Sequence, residues 1–130
     1  MALRKRRPGM VYPTWEDWHY VGDTDEPAFQ NSWANSEATK NLAFRTRETG
    51  VVDIEGDVYG GTSVVFTLPA SYRPSAKAFC AVTGLYSTEL VAAILRINTT
   101  GDVTFGFRST NPPTRFYVSA QFFLNPSDAP

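Results

Sequence analysis

A single cysteine and a single histidine stand in 130 residues, which narrows the chemistry before any motif is sought. Cys80 has no intrachain partner for a disulfide, and its apolar strand suits a free cysteine acting as a small hydrophobe. Any base-assisted nucleophile or histidine metal site would have to be built on His19, which lies between Trp18 and Tyr20 with no nucleophile motif near it, so a packed or surface role is favoured. No run of about 18 apolar residues exists, and no apolar core follows the basic N-terminus, so neither a membrane span nor a secretory signal is expected. A glycine-rich phosphate loop is also missing, because Gly60-Gly61 joins two strand-like runs rather than opening a helix. No internal repeat or low-complexity tract is visible.

What is present describes a folded, β-rich single domain: 42% hydrophobic, 14% aromatic and 19% charged residues are too apolar and too aromatic for a disordered chain. The net charge of −1 hides an asymmetry. Arg4, Lys5, Arg6 and Arg7 supply four of the 12 basic residues, leaving eight against 13 acidic ones, a balance of −5. Residues 1–14 therefore read as a basic arm, with Pro8-Gly9 as pivot, and residues 15–130 as an acidic domain. The block is short and lacks interleaved aromatics, so an acidic surface on a neighbouring protein fits it better than nucleic acid does.

The clearest alternation lies in Gly50 to Pro74. Val52, Ile54 and Val58 share one face and Asp53, Glu55 and Asp57 the other, the pattern of a strand with one wet side. Gly60-Gly61 then predicts a hairpin to 64–68, which Pro69 ends. Residues 41–47 predict a second hairpin with 51–59 across a Glu48-Thr49-Gly50 turn, setting Arg45 opposite Asp53. Further strands are expected over 76–83, 89–97, 103–107 and 116–124, with 84–88 as a loop. In 89–97, Val91, Ala93, Leu95 and Ile97 on one side and Ala92 and Ile94 on the other predict burial on both faces. Seven short strands describe an all-β, antiparallel β-sandwich, jelly-roll-like, with an irregular aromatic N-terminal segment.

That segment, 10–40, holds Trp15, Trp18, Tyr20, Phe29 and Trp33 without a sustained period. Its rings pack across the sandwich or onto another copy of the chain, and an intertwined oligomer using Trp15, Trp18, Phe29 and Trp33 is the economical answer. Thr14 could cap a helical turn over 15–19, and 31–38 could hold another short piece. Asp23 to Glu26 fails the EF-hand pattern, since Ala28 and Ala34 occupy the positions that need glycine and glutamate, and is expected to be a solvated loop. Asp53, Glu55 and Asp57 could mimic the carboxylate pair of a glycosidase, and the tryptophans with Gln30, Asn31 and Asn35 could stack on a sugar, but a solvated, partly paired face and ring packing are the favoured readings. No catalytic residue, cofactor or metal is expected.

Four segments carry a family resemblance: Trp18-His-Tyr-Val-Gly22, Glu26-Pro-Ala-Phe-Gln-Asn-Ser-Trp33, Gly50-Val-Val-Asp-Ile-Glu-Gly56 and Phe66-Thr-Leu-Pro-Ala-Ser-Tyr-Arg-Pro74. In order and spacing they resemble a module found at the ends of bacteriophage minor tail and tail-fibre proteins, over about 15–124. The resemblance implies a β-sandwich, usually trimeric, made in the host cytoplasm and placed in the virion near the tail tip, often contacting the host surface and its glycans. It supplies no catalytic residues. A capsid decoration protein is the competing expectation, because nearly all of this chain is module, and a carbohydrate-active enzyme is a disfavoured third.

Overall fold

The computed structural model of the chain describes residues 15–36, 40–47, 50–108 and 110–125. Thr14 and the basic residues Arg4, Lys5, Arg6 and Arg7 lie outside them. Among the described residues nine antiparallel strands form the fold: β1 (His19–Tyr20), β2 (Ala34–Asn35), β3 (Ala43–Thr46), β4 (Val51–Tyr59), β5 (Phe66–Thr67), β6 (Ala78–Tyr86), β7 (Glu89–Ile97), β8 (Asp102–Phe107) and β9 (Arg115–Phe123). A 3-10 turn, Ala70–Tyr72, follows β5. The seven expected strands are all present, and the two extra ones are two-residue pieces of the aromatic segment. No helix among the described residues is long and apolar enough to cross a membrane.

The strands pair in the order β1-β3-β4-β9-β6-β7-β8-β5, with β2 also on β4, and the sheet curls into a half-barrel, a sandwich-like all-β fold. The curl brings opposite ends of the strand order together. Phe44 on β3 stacks on Phe66 of β5 at 5.8 Å, and Tyr72 meets Phe44 edge-on at 4.9 Å. Their inner faces, with Val52, Ile54, Val58, Leu95, Ile97, Val103, Phe116 and Val118, form one buried core. At the other end of the trough Phe105 and Phe116 stack at 4.0 Å, and Trp33, 6% exposed, packs on both.

The β3–β4 hairpin has the expected register, Arg45 opposite Asp53, with Gly50 in the left-handed region at φ 79°. The expected β4–β5 hairpin does not form. β4 is flanked by β3, β2 and β9, while β5 pairs with β8 through Phe66 and Val103. Both edges of β4 are already occupied, by β3 and β2 on one side and β9 on the other, and Gly61 serves instead as room for Trp33, since a Cβ there would sit 2.3 Å from the indole. The expected 84–88 loop shrinks to Ser87-Thr88, because β6 continues to Tyr86. The helical turn expected over 15–19 is extended instead: Trp15 bridges Arg47, Glu16 N–H donates to Thr46 O, and β1 pairs with β3. Around 31–38, Asn31 and Ser32 form a turn with φ of 53° and 68° before β2, and 37–39 lie outside the described residues.

Two faces differ from expectation. The acidic side of β4 is wet only at Glu55, since Asp53 and Asp57 are 6% and 7% exposed. Conversely, β7 is covered on one face only among the described residues: Ala93, Leu95 and Ile97 are buried, whereas Leu90, Ala92 and Ile94 are exposed, with no described residue packed over them.

Candidate functional site

The outer face of β3, β4 and β9 explains how two aspartates come to be buried there. Successive outward positions on β4 are Asp53, Glu55 and Asp57, and a basic side chain from a neighbouring strand or its flanking residues lies beside each. Asp53 lies against Arg45 and Arg47, with Arg47 donating to its Oδ1 at 3.3 Å. Arg45 Nε faces Asp53 Oδ2 at 3.5 Å as an ion pair without hydrogen-bond geometry. Arg115, brought alongside by the β4–β9 ladder, grips both oxygens of Asp57, its Nε donating at 2.9 Å. Glu55 meets Lys40 at 3.6 Å in a more open pair.

Two rings close this ladder from outside. The Arg45 guanidinium lies 4.1 Å from the ring centres of both Trp15 and Trp18, and Arg47 lies 4.3 Å from Trp15. Indole faces are electron-rich, so the rings desolvate the cations while still attracting them. Trp15 keeps an exposed part, and with Glu55, Ser119 and Gln121 it lines a groove of about 310 Å³. The residue types expected to pack between copies therefore divide: Trp33 is buried in its own core, Phe29 packs against that core, and Trp15 and Trp18 cover the arginines.

A second cluster ties the N-terminal segment to the far end of the sheet. His19 stacks on Phe44 at 5.2 Å, its Nδ1 sits 2.7 Å from Glu26 Oε2, and its Nε2 lies 3.0 Å from Tyr72 Oη and 3.4 Å from Glu16 Oε2. Burial acts to lower the His19 pKa, but hydrogen bonds and negative charge from Glu26 and Glu16 outweigh it and hold the imidazole above its ordinary value. At Glu16, burial acts to raise the pKa and is outweighed by hydrogen bonds from Tyr72, Thr46 N–H and His19 and by the His19 charge, so the carboxyl is lowered. Burial and the two carboxylates push the Tyr72 phenol up. The histidine is thus a packed residue that favours the imidazolium form. The Asp23–Glu26 stretch forms an exposed turn, with Glu26 N–H donating to Asp23 O.

The signs fix the pH behaviour. A raised histidine pKa gives stability that is full below its unfolded value, about 6.5, and is lost as pH climbs through the folded value. A lowered Glu16 gives stability present above its unfolded value and lost as pH falls. The cluster should therefore stabilise most between about pH 4.5 and 6.5. Thermal unfolding followed by circular dichroism should show the gap between wild type and His19→Gln widest there and narrowing toward alkaline pH. A gap that stays constant across the range would exclude the imidazolium form as its source.

The histidine cluster was missed from the sequence because His19 and Tyr72 are 53 residues apart; the only signal was their presence in two segments of the same resemblance. Those segments meet elsewhere as well. Gln30 Nε2 donates to Thr67 Oγ1 at 2.9 Å, and just before the last segment Gln30 N–H donates to Val65 O at 2.8 Å. Cys80, half-buried, donates weakly to Gln121 O, and burial raises its pKa. No protein-family model and no curated protein matches the chain.

Proposed function

We propose that the chain is a non-enzymatic structural protein of a bacteriophage virion, a homotrimeric minor tail or tail-fibre component that serves tail-tip assembly and host-surface attachment. The observation that carries this reading is that three of the four segments resembling the tail module contact one another. His19 and Glu26 from the first two join Tyr72 from the last, and Gln30 joins Thr67. Residues that the resemblance rests on are thus among those that hold the aromatic segment onto the half-barrel, which is what a shared architecture requires. Asp53, Glu55 and Asp57 each face a basic side chain, a structural use of carboxylates. The Trp15 groove supports the attachment role: an indole face beside amide, hydroxyl and carboxylate groups can stack on a pyranose and bond its hydroxyls. Arg4, Lys5, Arg6 and Arg7 would dock the domain onto an acidic neighbour in the particle.

Quantitative mass spectrometry of purified particles, with gold-labelled antibody in electron micrographs, tests the reading. The chain is expected at a low copy number divisible by three, with label at the tail tip, and its copy number should fall when residues 1–7 are deleted. Label spread over the head at hundreds of copies would instead assign it to capsid decoration. Absence from particles would overturn the virion reading.

A further inference from the structure

The groove beneath Trp15 has a floor whose backbone is already paired and walls whose charges are already matched. The β4–β9 ladder is continuous from Val51–Phe123 to Tyr59–Arg115, so no open backbone edge lies between these strands for a peptide to add to. Asp53 meets Arg45 and Arg47, and Glu55 meets Lys40, so neither an anion nor a cation finds an unopposed partner there. What the groove offers is an indole rim, Trp15 being 37% exposed, with the hydroxyl of Ser119 and the amide of Gln121 exposed along β9. Both point to the outer face, because they lie opposite Glu55 and Asp53 in the ladder.

One polar pair in the groove is unfinished. Asp53 is 6% exposed and lines the groove; its Oδ1 accepts from Arg47, whereas its Oδ2 has no hydrogen-bond donor among the described residues. Arg45 Nε, buried beside it, likewise has no acceptor, and the two atoms stand 3.5 Å apart. A buried carboxylate oxygen and a guanidinium N–H left unpaired are costly, so a group that satisfies both gains on binding. One hydroxyl does so. An oxygen about 2.8 Å from each atom fits across the 3.5 Å separation, donating its proton to Oδ2 and accepting from Nε–H. An ammonium only donates and a carboxylate only accepts, so neither completes the pair.

We infer that this groove binds a neutral sugar ring, stacked on the exposed part of Trp15, with one hydroxyl between Asp53 Oδ2 and Arg45 Nε and others on Ser119 and Gln121. A pyranose has a face of C–H bonds and a rim of hydroxyls, each both donor and acceptor, which is the complement of this set. Size agrees. About 310 Å³ lies at the low end of ligand sites, room for one ring. At Ser119 the groove meets a second of about 470 Å³, lined by Lys40, Tyr117 and Thr83 among others, so the ring can be the end of a longer glycan crossing β9 toward β6. The inference deepens the attachment part of the proposed function and rests on that reading for the source of the sugar, a cell surface.

An array of bacterial surface oligosaccharides, neutral and acidic, probed with the full chain and followed by NMR titration, tests it. Neutral sugars should bind. Trp15→Ala should weaken them by at least about tenfold, and Gln121→Ala and Asp53→Asn by about three- to tenfold each. Gln121→Ala, at an exposed position, should keep the wild-type circular dichroism spectrum, and Tyr20→Ser, on another exposed surface, should bind as wild type does. No neutral sugar bound at about 10 mM, a preference for acidic sugars, or binding that neither Trp15→Ala nor Gln121→Ala weakens would overturn the site, an ordered water then completing the Asp53–Arg45 pair. Each of these outcomes leaves the virion reading intact, because that reading is tested by copy number and label in particles. A chain absent from particles that still binds neutral sugar through Trp15 and Gln121 would sink the virion reading and keep the site.

Discussion

Arg115→Ala should lower the unfolding free energy by about 3 to 5 kcal/mol, the loss typical when one member of a buried ion pair is removed. Asp57 is 7% exposed, and both its oxygens accept from the Arg115 guanidinium, so truncating the arginine strands a carboxylate that water reaches poorly. The loss comes from the stranded charge more than from the vanished bond. Two controls separate these. Arg115→Lys keeps the charge but not the planar fork, and should recover part of the loss. Replacing both partners, Asp57→Val with Arg115→Leu, removes the charge problem and should come closer to wild type than Arg115→Ala does. Glu55→Ala, whose pair with Lys40 is open to solvent, should change stability by no more than about 1 kcal/mol. Urea titrations at neutral pH measure all four. An Arg115→Ala protein within experimental error of Glu55→Ala would mean that the β4 carboxylates are as freely solvated as their alternation suggests.

That alternation marks the limit of what was legible. Period-2 patterning assigns residues to two faces, and it located β4, β7 and β9 closely because their apolar positions repeat over nine residues. It says which residues share a face but not what covers that face. Asp53 could be matched to Arg45 because a tight turn fixes the β3–β4 register. Asp57 could not be matched to Arg115, 58 residues away, without knowing that β9 lies beside β4. The same gap misread β7. Its doubly apolar pattern was sound chemistry, but the described residues supply only one of the two layers that the pattern asks for.

Strand adjacency failed for a related reason. Two alternating runs separated by glycines ordinarily pair, and Gly60-Gly61 invited that reading for β4 and β5. The structure uses Gly61 as clearance for Trp33, a demand set by a residue 28 positions earlier and invisible to any local window. The aromatic segment resisted periodicity because it is neither helix nor long strand. It is a strap that hangs on side-chain bonds, His19 to Glu26 and Tyr72, Gln30 to Thr67 and Trp33 Nε1 to Thr62 O. Of the candidate site, the paired acid face was half legible, in its partners but not its burial.

Gly56→Ala should be the most damaging of the small substitutions, by about 2 to 5 kcal/mol, combining the strain of a left-handed backbone with overpacking against main chain. Gly56 lies mid-strand on β4 at φ +153°, between the stretch that pairs with β3 and the stretch that pairs with β2. As the chain travels from β2 to β3 it crosses directly over this residue, and a Cβ there would sit 2.4 Å from Leu42 Cα and 2.8 Å from Leu42 N. Backbone cannot rotate aside as a side chain can. Leu42 is also held on three sides: its side chain is in the core, its N–H donates to Asn35 Oδ1 at 2.8 Å, and its carbonyl accepts from Val21 N–H at 3.0 Å. Relieving the clash therefore loosens β2, β3 and the strap together. Gly50→Ala isolates the contribution of strain, since Gly50 has φ +79° but nothing within 4 Å of its missing Cβ, and should lose only about 1 to 2 kcal/mol. Chemical unfolding of the two variants side by side is the measurement. Equal losses would mean that Leu42 can move away from β4, and that the crossing is looser than its hydrogen bonds require.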